Sequence, residues 1–241
     1  MSTLTAKEFK AQAMDKTDKT LGQRVKERFE ELGIQTPTVE NNLTDQEKFE
    51  QLLELYKEQH RILGLDLEDD SLIDTPKRVA KMMVYETMSG LNWANFPKCT
   101  VVENKFYDGM VSVSDIRTAG LCEHHQKDIH NSVSISYIPK RGGKVLGLSK
   151  FARIASFLAE QPSISERYTA QLFEALKLIL ETEDVAVTVR SAHMCMYARG
   201  VKDPCSNTTT TLLGGQFKTD ESMRIEYFNK IDFSKPIISV G

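Results

Sequence analysis

The chain has 241 residues, of which 40% are hydrophobic and 27% charged, so it can form one large domain or one domain with an appendage. Its formal net charge of −3 disfavours a nucleic-acid partner, because nucleic-acid-binding proteins carry an excess of basic residues. No apolar run approaches the roughly 18 residues of a membrane helix, and residues 1–20 lack the features of a secretory or organellar leader, so we expect a cytoplasmic protein with no membrane partner.

The N-terminal part of the chain is predicted to be helical. Residues 1–42 are polar and only weakly periodic, and we interpret them as an extension. Segment 44–63 is a stronger helix, because Thr44 and Glu47 form a capping-box pattern before apolar residues at helical spacing. Gly64 is expected to end it.

A further helix is predicted to begin at Thr75, where Pro76 takes the favoured first position, and to end at Gly90. The pattern then changes to β alternation, with strands predicted at 99–106, 110–121, 131–138, 185–189 and 208–211. Helices are predicted at 149–160, 163–182 and 219–230. We therefore expect an α+β fold with an antiparallel sheet. Its predicted regions are 1–42, 43–98, a sheet-containing domain with the candidate site at 99–231, and a tail at 232–241.

Cysteine and histidine are clustered in this chain, and that pattern indicates a metal site. Cys122 is followed by His124 and His125, and far along the chain His193 stands two residues before Cys195. Two sulfurs and one imidazole nitrogen suit zinc, and three protein ligands leave a fourth position for water. The alternatives are buried cysteines among ordinary histidines, or a Cys122–Cys195 disulfide, which a reducing compartment disfavours.

A candidate anion site lies at the start of the predicted helix 149–160. Ser149 can cap a helix that begins at Lys150, and Lys150 and Arg153 share one face of it. A helix N-terminus beside two cations favours an anion. The alternative is that both are solvated surface charges.

Glu166 follows Ser163 by three residues, a spacing that is typical of a capping box. On local evidence alone this carboxylate is a helix cap. A carboxylate can also accept hydrogen bonds from adjacent N–H groups of a guanine edge, which adenine does not offer.

Five segments occur in the order found in GTP cyclohydrolase I, and the chain resembles that family from about Leu65 to Tyr227. They are Asp74-Thr-Pro-Lys-Arg78-Val-Ala-Lys81-Met, Cys122-Glu-His-His125, Gly147-Leu-Ser-Lys150, His193-x-Cys195-x-x-x-Arg199-Gly200 and Ser206-x-Thr-Thr-Thr-Thr211-x-x-Gly-Gly215. The resemblance implies zinc on Cys122, His125 and Cys195. It also implies that His124 and His193 are the catalytic acid–base groups.

The resemblance also implies a substrate pocket for GTP. Triphosphate contacts are implied for Arg78, Lys81, Lys150, Arg153 and Arg199, a ribose contact for Ser149, and guanine recognition for Glu166. Two departures bear on affinity: Ser165 stands where the family commonly has Gln, and segment 126–131 is polar where a largely apolar stretch is usual.

The function implied by the resemblance is conversion of GTP to formate and 7,8-dihydroneopterin triphosphate, for folate, pterin or deazaguanine synthesis. The implied fold is the tunnelling fold, in which antiparallel strands of several subunits join into a β-barrel with outer helices. The resemblance also implies a homodecamer with active sites shared between subunits. Two alternatives remain: a non-catalytic relative that binds a guanine nucleotide or pterin, and a sister tunnelling-fold enzyme with another substrate.

Overall fold

The computed structural model describes residues 16–238, so the first part of the predicted extension, the leader interpretation and the end of the predicted tail lie outside the described residues. Over those residues no helix combines the length and apolarity of a membrane span. The helices, in chain order, are α1 (Lys19–Leu32), α2 (Asp45–Ile62), α3 (Thr75–Met82), α4 (Leu148–Ala159), α5 (Ser165–Leu180), α6 (Met194–Tyr197), α7 (Gly215–Thr219) and α8 (Glu221–Asn229).

The strands form two sheets. They are β1 (Val101–Glu103), β2 (Val111–Cys122), β3 (Asp128–Tyr137), β4 (Lys144–Leu146), β5 (Pro162–Ser163), β6 (Val185–His193) and β7 (Thr208–Leu213). The main sheet has the order β5-β2-β3-β6-β7, and β1 pairs with β4 in a separate ribbon. All pairs are antiparallel except the two-residue contact of β5 with β2, which is parallel. The α+β class is confirmed.

One face of the main sheet is covered by α4 and α5, and part of the other face by α7 and α8. On β6, Val185, Val187 and Val189 pack into the larger core with α4 and α5, as side chains two apart share a face. Ala186 points to the other face and packs with Phe217 and Tyr227 of α7 and α8.

Several predicted elements are confirmed, and others differ. The capping box forms, with the Thr44 hydroxyl accepting from the Glu47 backbone N–H and the Glu47 carboxylate accepting from the Thr44 N–H. The helix that begins at Thr75 ends at Met82 rather than at Gly90. A π turn follows at Met83–Thr87, and then two short 3₁₀ turns at Ser89–Leu91 and Trp93–Asn95. Strand β4 was not predicted, and the predicted helix at 219–230 begins later, at Glu221, after the separate short helix α7.

Candidate active site

The candidate site lies where two strands of the main sheet end. Because β2 and β6 are both antiparallel to β3, they run in the same direction, and their last residues, Cys122 and His193, lie at the same end of the sheet. The short strand β5 pairs Ser163 with Cys122, which brings the N-terminus of α5 to this end. Three segments far apart in the sequence therefore meet here.

Cys122, His193 and Cys195 form a cluster at this end. One ligand atom from each residue lies within 4.8 Å of the others. Cys122 is buried with 3% exposure, whereas His193 and Cys195 are half-buried. Two thiols and an imidazole are a donor set that fits zinc, and access from one side would leave room for a further ligand.

The two adjacent histidines lie in the turn that follows Cys122. The Gln126 backbone N–H donates to the Cys122 carbonyl over 2.8 Å, which closes one turn of chain around them. His124 Nδ1 is 4.0 Å from Cys122 Sγ, and the His124 side chain is 65% exposed. His125 is also exposed and is not part of the cluster. The structure thus groups His193, rather than His125, with the two thiols.

The environment of the cluster shifts the pKa values of two of its members. Burial lowers the pKa of the His193 imidazole, and the negative charge of Glu166 partly opposes that shift. Burial and the adjacent Cys122 thiol raise the pKa of the Cys195 thiol. His193 Nε2 is hydrogen-bonded to the Ser165 hydroxyl at 2.9 Å, so the first residue of α5 contacts the last residue of β6.

An ion pair that the sequence analysis did not single out adjoins the cluster. Arg167 of α5 donates to the Glu123 carboxylate, and His124 Nε2 lies 3.8 Å from the same carboxylate. Glu123 comes directly after Cys122, so this pair fixes the turn that carries His124 against α5. In the sequence, the only signal for Glu123 was its position between Cys122 and the two histidines.

The predicted anion site differs in its first residues. Helix α4 begins at Leu148 with Gly147 at the N-cap position, so Ser149 lies in the first turn, and the prediction that it caps the helix was wrong. The chain enters the helix two residues earlier than the serine pattern indicated. Lys150 is half-buried, and Arg153 is exposed one turn further along.

The other predicted triphosphate contacts are exposed cations. Arg78 lies on α3 beside Asp74, at 3.4 Å, and Lys81 follows one turn later. Arg199 is exposed in the segment after Cys195. Between residues 16 and 238, no hydrogen bond or ion pair joins these three cations to the cysteine cluster.

Glu166 is not a helix cap. Helix α5 begins at Ser165 with Ile164 at its N-cap position, and the Ser163 hydroxyl donates to the Ile164 carbonyl. The capping interpretation was therefore wrong, because the helix starts one residue later than a Ser163 cap requires. Glu166 is exposed in the first turn of α5, and its side chain makes no hydrogen bond to any residue from 16 to 238.

Comparison with known proteins gives consistent matches. A family model described as GTP cyclohydrolase I matches residues 47–232. The protein named GTP cyclohydrolase 1 in Vibrio cholerae is 47% identical over 206 residues, which are 85% of this chain and 94% of that protein. Its namesake in Shewanella sp. strain ANA-3 is 45% identical over 208 residues, or 86% and 95% of the two chains. A crystal structure of the archaeosine synthase QueF-Like covers 44% of this chain at 20% identity and a TM-score of 0.34, too low to bear on the fold.

Proposed function

The chain belongs to the GTP cyclohydrolase I family, and from that membership we propose the roles of the residues in its candidate active site. Its function is that of GTP cyclohydrolase I, a hydrolase acting at the first step of pterin and folate biosynthesis. The proposed reaction hydrolyses GTP, releases formate and recloses the remainder as 7,8-dihydroneopterin triphosphate. The observation that carries this proposal is the meeting of two cysteines and a histidine at one end of the sheet.

The proposed metal is zinc, held by the thiolates of Cys122 and Cys195 and by one imidazole. Two sulfurs and an imidazole nitrogen within 4.8 Å of one another are a donor set that zinc prefers, which supports the assignment. When bound, zinc lowers the pKa of a coordinated water towards about 7. The chain itself supplies the ligand geometry, the proton-transfer groups and the contacts that orient GTP.

The proposed third ligand is His125, although His193 is the imidazole that lies in the cluster. Cys122 and His125 are three residues apart in one closed turn, and side chains at that spacing lie on the same side of a turn. His125 is exposed, so binding the metal would require its side chain to adopt a different rotamer. The test is zinc content per subunit: His125→Ala should lose zinc, and His193→Ala should retain it. The opposite result would make His193 the ligand.

The proposed acid–base groups are His124 and His193. Each would move a proton to or from a nitrogen of the purine five-membered ring as that ring opens. His124 adjoins Cys122 and also reaches Glu123, which would hold its ring in place. His193 is held from the other side by Ser165. Both rings therefore have a fixed neighbour beside the cluster.

The triphosphate of GTP would bind at α4. No side chain caps the start of this helix among the described residues. The Lys150 N–H donates to the Gly147 carbonyl over 2.8 Å, which leaves the N–H groups of Leu148 and Ser149 for an anion. Lys150 in the first turn and Arg153 one turn later add positive charge, and Arg78, Lys81 and Arg199 are proposed as further triphosphate contacts. Ser149, exposed in the same first turn, is proposed to contact the ribose.

Glu166 is the proposed guanine-binding residue. Its carboxylate is exposed, carries no hydrogen bond within residues 16–238, and lies close enough to His193 for its charge to affect that ring. A carboxylate that is free and beside the acid–base group can accept from the guanine N–H donors. This position would set the purine ring next to the cluster.

We also propose a cytoplasmic homodecamer with active sites shared between subunits, joined by a barrel of strands. Strand β7 is an edge of the main sheet, and an edge strand presents unpaired backbone groups to a neighbour. Light scattering should give a mass near ten subunits. An active monomer at low concentration would contradict shared sites.

One assay tests the proposed reaction directly. Purified protein is incubated with GTP, and formate release and pterin fluorescence are followed, with Cys195→Ser as the matched inactive control. Formate and fluorescence from wild type alone would support the proposal. GTP binding without formate would favour a non-catalytic relative, and turnover of another purine or pterin would favour a sister enzyme.

A further inference from the structure

The hydrogen bond between Ser165 and His193 holds one nitrogen of the proposed acid–base histidine. Ser165 is the first residue of α5 and is 4% exposed. Its hydroxyl lies 2.9 Å from His193 Nε2, and that ring is its hydrogen-bond partner. Because buried polar groups are nearly always hydrogen-bonded, loss of this contact would leave the Ser165 hydroxyl unsatisfied.

Ser165 is itself held firmly in place. The Thr169 hydroxyl donates to the Ser165 carbonyl over 2.8 Å and is 2.6 Å from the Thr210 hydroxyl on β7. Thr169 is 1% exposed. Two residues before Ser165, Ser163 pairs with Cys122 in the parallel contact of β5 with β2. The start of α5 is therefore tied to β2 on one side and to β7 on the other.

The bond decides which nitrogen of His193 is available. A serine hydroxyl can donate to a bare Nε2 or accept from a protonated one, so Nε2 is engaged in either tautomer. Nδ1 is then the nitrogen left to exchange a proton with a substrate or to bind a metal. The ring also loses the freedom to flip, since a flip would break the bond and leave a buried hydroxyl without a partner.

We infer that Ser165 is a positioning residue for His193, which fixes the orientation of its ring through Nε2 and leaves Nδ1 as the reactive nitrogen. The inference rests on the proposed function for its kinetic part, because positioning has a measurable effect only if His193 takes part in turnover. It holds whether His193 transfers protons or binds the metal. In both roles a hydroxyl on the far nitrogen sets the ring orientation.

The kinetic test compares Ser165→Ala with Ser165→Thr, which keeps a hydroxyl. Removing a partner that orients a catalytic or ligating histidine typically costs about 10- to 100-fold. We expect kcat of Ser165→Ala to fall by that factor with KM changed less than about threefold, because binding groups are left intact. Ser165→Thr should restore most of kcat. Equal loss in both variants would overturn the role of the hydroxyl.

The matched control is Ser191→Ala. Ser191 is fully buried on β6, two residues before His193, and its hydroxyl donates to Asn131 Oδ1 over 2.7 Å. It therefore reports the cost of losing a buried serine hydrogen bond without releasing the His193 ring. We expect a lower Tm with near-normal kcat. If kcat falls as far in Ser191→Ala as in Ser165→Ala, the effect is one of stability and the inference is wrong.

A structural readout separates failure of this inference from failure of the proposed function. Crystal structures of wild type and Ser165→Ala should show the His193 ring in one orientation in the first and rotated or in two orientations in the second. An unchanged ring in Ser165→Ala would overturn the inference even if GTP turnover is normal. If the wild type is inactive on GTP, the proposed function is wrong, but the His193 ring orientation in the two crystal structures still tests this inference.

Discussion

Glu166→Gln tests guanine recognition with little interference from stability. The Glu166 side chain makes no hydrogen bond within residues 16–238, so the substitution removes only its charge and the effect of that charge on the His193 imidazole. The remaining stability effect is the loss of a negative charge from the first turn of α5, about 0.3–1 kcal/mol at low salt. If the carboxylate accepts from guanine, a charge-assisted hydrogen bond of about 1.5–3 kcal/mol is lost. That predicts a roughly 10- to 100-fold fall in kcat/KM for GTP.

The assay is kcat/KM for GTP together with Tm, with Glu221→Gln as the matched control. Glu221 is an exposed acid in the first turn of α8, so its substitution repeats the loss of charge away from the cluster. We expect both variants to show the same small fall in Tm and only Glu166→Gln to lose activity. Unchanged kinetics in Glu166→Gln would show that other groups recognise guanine.

Three further predictions concern the metal, the acid–base group and the anion site. Cys122→Ser and Cys195→Ser should each lose zinc and turnover, because each removes one of the two thiolate ligands. Metal analysis checks the zinc content, and full activity in either variant would contradict the zinc assignment. His124→Ala should retain zinc and lose about 10²–10⁴-fold in kcat, whereas loss of zinc would make His124 a ligand. The double variant Lys150→Ala with Arg153→Ala should raise KM for GTP by a larger factor than Ki for guanosine monophosphate measured as an inhibitor, because the monophosphate carries less charge. Equal effects on both constants would place the triphosphate elsewhere.

The longer helices from α2 onward and most strands could be predicted because their signals are local, whereas the short helices α6 and α7 were not predicted. The Thr44–Glu47 box and the position of Pro76 each depend on residues within one turn, and both are observed. Strand β4 could not be predicted in the same way, since its three residues form a ribbon only with β1, which precedes it by about forty positions. Short strands are defined by their partner rather than by their own sequence.

The two serine caps show where a local signal fails. Ser149 and Ser163 each stand before a run of apolar residues at helical spacing, which is the pattern of an N-cap. In the structure Gly147 and Ile164 take those positions instead. The preceding strands β4 and β5 decide where each helix starts, because they fix the backbone up to that residue.

In the candidate site, too, residue types could be predicted from the sequence, whereas tertiary contacts could not. Cys122 and Cys195 could be identified from their residue types, and the structure brings them together. The distinction between His125 and His193 could not come from spacing, because it depends on the pairing of Ile129 with His193 and on the turn closed by Gln126. Both histidines stand two or three residues from a cysteine, so each satisfies the ligand pattern equally well. The contact of Ser165 with Nε2 joins elements distant in sequence, and the zinc content of the two alanine variants tests which histidine binds the metal.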